Sequence, residues 1–424
     1  MTPAARLQAA VALLEAMEAA GRRPADAVAN NFFRERRYIG GGDRRAISDE
    51  VWFVLRHQQR LDWWLQRVEL PAAPRSRVAA ARVLEGAQVR LDSLFSGGRF
   101  APEPLRPEEA TALGRLAGGR LEHPDMPPAV RFEVPDWLLP QLESRFGTAL
   151  EAEMRALAEP APLDLRVNLL KATREQAQQS LLAEGLQAEP MARSPWGLRL
   201  PGRQNVTATA AFRDGLVEIQ DEGSQLVVQL VGAAPQMRVA DFCAGAGGKT
   251  LALAMTMRNQ GHIVACDVSA ARLDGAVRRL RRAGVHNVER HLLTDGAKWL
   301  KRRAGGFDRV LVDAPCTGTG TWRRNPDARL RLVERDLAEL TVKQAAILRD
   351  AARLVRPGGR MVYATCSLLE AENERQVEAF LAGVPGFTLV PVSAGEQSMR
   401  LSPARDGTDG FFAAVLERGE AAGS

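Results

Sequence analysis

Apolar and polar positions change rhythm twice along the chain. Up to about residue 128, apolar residues recur at helical spacing, as in Ala9-Ala10-Val11-Ala12-Leu13-Leu14-Glu15-Ala16 and in Ile47, Val51, Val54 and Leu55. This stretch predicts an all-helical segment. Residues 25–36 read as one of its helices, with Asp26 near the start, Gly40-Gly41-Gly42 as a break, and Asp43 as the cap of the next helix. A proline-rich joint at 124–135 marks a boundary. Beyond it, Leu163-Asp164-Leu165-Arg166-Val167-Asn168 alternates as a strand does, 173–184 is an amphipathic helix stopped by Gly185, and Trp196-Gly197-Leu198-Arg199-Leu200 is a second strand. From Val217 onward, apolar runs at 238–243, 263–267, 288–293, 309–312, 360–364, 387–392 and 411–416 alternate with helical patterns. That alternation predicts an α/β fold with a mainly parallel seven-stranded sheet, helices on both faces, and a ligand at the carboxyl ends of the strands. No helical pattern separates the last two runs, so the final strand is expected to run antiparallel. The expected domains are 1–130, all helical; 131–215, a small α+β unit; and 216–424, the parallel α/β domain.

Composition narrows the classes. With 424 residues the chain can bury more than one core, and no stretch is apolar enough to cross a bilayer. The N-terminus carries charge early and lacks an apolar core, which argues against a signal peptide and for a cytoplasmic protein. The net charge is +6, supplied mostly by arginine, which permits nucleic-acid binding. Cys243, Cys266, Cys316 and Cys366 form no C-x-x-C pair and histidine is scarce, so no metal site is expected.

The chemistry gathers where apolar runs end. Val239-Ala240-Asp241-Phe242-Cys243-Ala244-Gly245-Ala246-Gly247-Gly248-Lys249-Thr250 reads as strand, tight turn and helix. Its glycines let a ligand approach the backbone, and the helix start offers unpaired N–H groups. Gly248-Lys249-Thr250 looks like the tail of a phosphate loop, but Cys243 stands where that loop needs glycine. Asp267 ends the next run, where a carboxylate can take a ribose. Asp295, Asp313 with Cys316, and Cys366 follow the third, fourth and fifth runs. Cys243 and Cys266 read as small packed residues. Cys316 and Cys366 lie among polar and turn residues, and two thiols at one crevice are compatible with a disulfide couple, metal ligation or a two-thiol covalent mechanism.

Taken together, Asp241 to Thr250, Asp313-Ala314-Pro315-Cys316-Thr317-Gly318-Thr319-Gly320 and Tyr363-Ala364-Thr365-Cys366-Ser367 resemble motifs I, IV and VI of the NOL/NOP/Sun RNA cytosine-5 methyltransferases. Arg323-Arg324-Asn325-Pro326-Asp327 and Asp409-Gly410-Phe411-Phe412 match the same pattern. The N-terminal helices, around Gly42-Asp43-Arg44-Arg45, are similar to that family's NusB-like RNA-binding domain. The resemblance implies a class I, Rossmann-like methyltransferase domain using S-adenosyl-L-methionine. It implies Cys366 as nucleophile toward cytosine carbon 6, Cys316 assisting release, and Asp313 on the cytosine edge. Cys243, Ala244, Gly245, Ala246, Gly247, Gly248 and Lys249 would wrap the cofactor's amino-acid end, with Asp267 on the ribose, Asp295 on the adenine side and Asp313 close by. Asp241 would brace the turn. Arg323 and Arg324 would meet RNA phosphates, while the run Arg278-Arg279-Leu280-Arg281-Arg282 reads as a solvated face or a second RNA contact. The implied partner is RNA, 16S ribosomal RNA or its precursor, for a monomer without metal or membrane. A tRNA cytosine-5 enzyme and a non-catalytic RNA-binding assembly factor are the rivals.

Overall fold

The structure, a computed structural model, describes residues 1–85, 91–202, 204–294 and 296–420. These form two compact units, Met1–Ala158 with Trp322–Val333, and Glu159–Thr321 with Glu334–Ser424.

The first unit is helical. Thr2 caps the helix Pro3–Ala19 by accepting the Ala5 N–H, and Leu13, Ile47, Val51, Val54, Leu61, Leu65 and Val78 meet in its core. The helix Ala25–Glu35 ends and a break follows as expected, but it falls at 36–40, just before most of the glycine triplet. Gly40 is itself the cap, the helix Gly41–Arg56 starts within the triplet, and Asp43 lies in its first turn. The Asp43 carboxylate is taken by the Met1 ammonium at 3.1 Å and Arg6 at 2.7 Å, which removes it from capping. Trp64 packs with its indole N–H donated to the Leu121 carbonyl at 3.2 Å. Residues Trp322–Val333 join this unit through half-buried Leu330 packed against its core, Ala25 N–H on Asp327 at 3.0 Å, and Arg56 on the Arg323 carbonyl at 2.8 Å.

The second unit carries all the strands: β1 Leu163–Val167, β2 Glu189–Pro190, β3 Gly197–Leu200, β4 Val217–Ile219, β5 Arg238–Asp241, β6 His262–Asp267, β7 Val288–Leu292, β8 Phe307–Asp313, β9 Val355–Thr365, β10 Phe387–Val390, β11 Met399–Leu401 and β12 Phe411–Arg418. A small antiparallel sheet has the order β2-β3-β1-β4, flanked by the helix Arg174–Ala183, whose Thr173 and Gln176 form a capping box. The helices Leu139–Phe146 and Leu150–Ala158 belong to the first unit, and β4 pairs with β1, Val217 opposite Val167, so the small sheet extends past residue 215.

The large sheet runs β10-β12-β9-β8-β5-β6-β7, with β11 on β12. The pairs β5–β6, β6–β7, β5–β8 and β8–β9 are parallel, and β12 is antiparallel to both neighbours, as the missing helical pattern predicts. The edge strand β11 was not anticipated, because three residues are too few to alternate visibly. Strand order reverses at β5, which has β6 on one side and β8 on the other. Such a switch point opens a crevice at the carboxyl ends, where ligands bind.

Three loops at those carboxyl ends are joined by backbone contact. Gly320 N–H donates to the Cys366 carbonyl at 3.0 Å, and Gly410 N–H to the Gly320 carbonyl at 2.8 Å. A Cβ on Gly410 would stand 2.7 Å from Gly320 Cα and 2.5 Å from Leu368 Cδ2. Gly410→Ala should therefore destabilise the protein by about 1–3 kcal/mol, read as a shifted denaturant midpoint at constant slope. An unshifted midpoint would contradict the close approach.

Candidate active site

The glycine turn is latched from several sides. Between β5 and the helix Gly248–Thr256, Gly245 and Gly247 have φ of 55° and 79°, the left-handed region that glycine favours. Ala244 N–H donates to the Cys266 carbonyl at 2.9 Å. The Asp267 carboxylate, at the end of β6, accepts Gly245 N–H at 2.9 Å and Ser269 N–H at 2.8 Å. From β1, buried Arg166 donates to the Gly248 carbonyl at 2.8 Å and to Gln220 at 2.6 Å, and burial lowers its pKa to about 10. Arg279 donates to the Ala246 carbonyl at 2.7 Å. The basic run thus splits. Arg278 and Arg281 are exposed, whereas Arg279 braces the turn and Arg282 bonds Glu218 at 2.6 Å with its guanidinium 3.8 Å from the Phe212 ring centroid.

Beneath the turn Asp241 is fully buried, accepting the Thr250 hydroxyl at 2.6 Å, while its Oδ1 has no partner. Burial pushes its pKa up to about 7, against the bond from Thr250. This is the bracing role expected of it. Lys249 reaches forward from the helix start to Asp313 at the end of β8, Nζ to Oδ2 2.7 Å. Burial draws the ammonium's pKa down, but Asp313, with Cys366 and Asp241, outweighs burial and holds it above the usual value.

Cys316 and Cys366 are free thiols with their sulfurs 3.4 Å apart. They follow neighbouring parallel strands in which Asp313 lies opposite Ala364. The hydrogen bond to Cys366, then burial, then the charges of Cys366 and Glu372 raise Cys316 well above the ordinary thiol value. Burial also raises Cys243 and Cys266, which suits thiols that pack.

One cavity of about 720 Å³ collects these groups. It is lined by Cys243, Ala244, Gly245, Ala246, Gly248, Lys249, Asp267, Asp313, Cys316 and Cys366, ten of the expected residues. Asp295 lies outside the described residues. Arg323 and Arg324 are not on this lining; they belong to the first unit. Arg323 is 5% exposed and Arg324 half-buried. Gln220 and Ser224, from the stretch 217–225 that also matches the family pattern, line the cavity with Lys343, Ile347 and Asp350, and Glu372 bonds Thr317 and Ser367 beside the two cysteines; no site role was expected of any of them. Lys343, Ile347 and Asp350 lie on a helix whose patterning is ordinary, so the signal in the residues was confined to the stretch 217–225.

Residues 228–417 match the family described as 16S rRNA methyltransferase RsmB/F, and residues 134–207 its ferredoxin-like domain. Ribosomal RNA small subunit methyltransferase B of Xylella fastidiosa is 38% identical over 300 residues, 66% of this chain and 68% of that one. Its counterpart in Citrobacter koseri is 35% identical over 293 residues, 68% and 67% of the two chains. The chain belongs to the RsmB/F methyltransferase family. The crystal structure of PH0851 matches with a TM-score of 0.81 at 27% identity over 99% of each chain. As a member of RsmB/F, this chain is an S-adenosylmethionine-dependent methyltransferase with the class I fold. The cavity fits that cofactor. Helix-start N–H groups suit its carboxylate, and Asp267 keeps a further acceptor site on each oxygen for ribose hydroxyls. Leu293, Leu300 and Ile347 offer apolar surface to an adenine.

Asp241 gives a pH test. Its pKa is raised from 3.8 to about 7 by folding, so its contribution to stability is full below 3.8 and lost as pH climbs through about 7. Asp241→Asn lacks this loss. The variant should gain unfolding midpoint relative to the parent between acidic and neutral pH; a gap that stays constant would rule out the buried, raised carboxyl.

Proposed function

We propose that this chain methylates carbon 5 of a cytosine in 16S ribosomal RNA, with Cys366 as the nucleophile. The observation that carries the reading is the pair of free thiols 3.4 Å apart, facing a cavity that also holds the glycine turn and the Lys249–Asp313 pair. The names of the relatives, small subunit rRNA methyltransferases, support the substrate.

Carbon 5 of cytosine is a weak nucleophile. The Cys366 thiolate forms a bond to carbon 6, and the π pair of the 5–6 bond passes to carbon 5. Carbon 5 uses that pair to bond the methyl carbon that bound S-adenosylmethionine would supply as a cation equivalent, the pair of the broken S–CH3 bond staying on sulfur in S-adenosylhomocysteine. A base then takes the proton from carbon 5, the double bond re-forms, and Cys366 leaves as thiolate. The Cys316 S–H, within hydrogen-bond reach, stabilises that leaving thiolate. Asp313, held by Lys249 at 2.7 Å, is placed to bond the cytosine edge. Cys243 to Lys249 take the cofactor's amino-acid end and Asp267 its ribose, with Asp295 assigned to the adenine side. Arg324 is the candidate phosphate contact, and such contacts weaken as salt rises. The cytosine must leave any base stack to reach the sulfur.

Incubating the full-length protein with methyl-labelled S-adenosylmethionine and 16S rRNA should place label in 5-methylcytidine. Cys366→Ala should abolish transfer and leave cofactor affinity unchanged by calorimetry. Label in another nucleoside would overturn the carbon 5 assignment, and turnover by Cys366→Ala the nucleophile. Asp267→Ala should weaken cofactor binding by about tenfold or more; unchanged affinity would remove it from the ribose.

A further inference from the structure

Behind the two cysteines lies a carboxylate that no motif accounts for. Glu372 is fully buried on the turn after β9. Its Oε1 accepts Thr317 N–H at 2.9 Å and Gln344 Nε2 at 2.9 Å, and its Oε2 accepts the hydroxyls of Thr317 and Ser367. Two donors on each oxygen fill the acceptor sites of an ionised carboxyl. Thr317 is next to Cys316 and Ser367 next to Cys366, so one carboxylate ties the two cysteine loops together. Gln344 extends the tie, donating also to the Pro315 carbonyl at 2.9 Å.

We propose that Glu372 sets the polarity of the cysteine pair: fixed between the two loops, its charge keeps the shared proton on Cys316 and leaves Cys366 as the thiolate. This rests on the reading above that Cys366 is the nucleophile. The surrounding charges are arranged for it. Two of the four donors to Glu372 come from Thr317, beside Cys316, and a third, Gln344, also holds Pro315, so Glu372 is tied chiefly to the Cys316 loop. The bond to Cys366 and burial raise the Cys316 thiol most and the Glu372 charge adds to them, whereas Lys249, paired with Asp313, is a cation whose own pKa the Cys366 charge helps to raise. Tyr363 on β9 also faces Cys316; burial raises its pKa, so it stays neutral, and its hydroxyl donates to the Glu372 carbonyl at 2.6 Å, while Cys243, Asp313, Lys343 and Asp350 share the cavity lining with Cys316. Glu372 is a positioning residue, acting through the sulfurs without touching substrate.

Glu372→Gln separates charge from shape. The amide oxygen can accept Thr317 N–H and Gln344, and the amide NH₂ can donate to the Thr317 and Ser367 hydroxyls, which accept as well as donate. Thr317→Val removes one bond to Glu372 but keeps its charge. The full-length proteins are treated with limiting iodoacetamide, and peptide mass spectrometry reads the labelled cysteine. The parent should label at Cys366, Glu372→Gln should raise the Cys316 share about tenfold, the effect of one pKa unit, and Thr317→Val should keep the parental pattern. An unchanged share in Glu372→Gln, or an equal shift in Thr317→Val, would overturn the charge role while leaving the nucleophile assignment intact. Labelling of Cys316 first in the parent would overturn that assignment and the proposal with it.

Discussion

Adjacent parallel strands deliver their carboxyl ends side by side, and the pairing of Asp313 with Ala364 is what brings Cys316 and Cys366 together. Strand spacing alone leaves loop side chains free to diverge. Here the divergence is prevented by a chain of buried polar contacts: Gly320 to the Cys366 carbonyl, Gly410 to Gly320, and Glu372 to both Thr317 and Ser367. A buried carboxylate is tolerated only when its oxygens are satisfied, so the loops that satisfy it cannot move apart without exposing an uncompensated charge. The 3.4 Å sulfur separation follows from that constraint.

The same crevice is charged unevenly. Asp267 is bound to backbone N–H groups, Asp313 to Lys249, and Asp241 is buried with a raised pKa, so the carboxyl groups around the turn have different partners. This lets one crevice hold a cationic cofactor without placing free negative charge everywhere. The small sheet takes part, because Arg166 on β1 supports the Gly248 carbonyl from behind. The α+β unit is therefore more than a spacer.

Much of this was legible in the residues. Period and glycine placement located β5, β6, β8 and β9, and each acid or thiol after them lies where a doubly wound sheet opens. The misreadings have physical causes. Asp43 looked like a cap, but the Met1 ammonium and Arg6 are drawn to it, which no local pattern encodes. That Arg323, just past the Cys316 loop in sequence, packs in the helical unit is likewise a long-range outcome that adjacency cannot show. Glu372 and Gln344 owe their importance to contacts with Thr317, 55 residues from Glu372, and Pro315, 29 residues from Gln344, so their roles appear only on folding.

The central claim is that the two thiols divide one covalent cycle, Cys366 forming the bond to RNA and Cys316 assisting its release. The most direct measurement is denaturing electrophoresis of Cys316→Ala and Cys366→Ala proteins purified from cells, with and without ribonuclease. A slow-migrating, nuclease-sensitive adduct in Cys316→Ala and none in Cys366→Ala is the result this account predicts. An adduct in Cys366→Ala instead, or in neither protein, would contradict it.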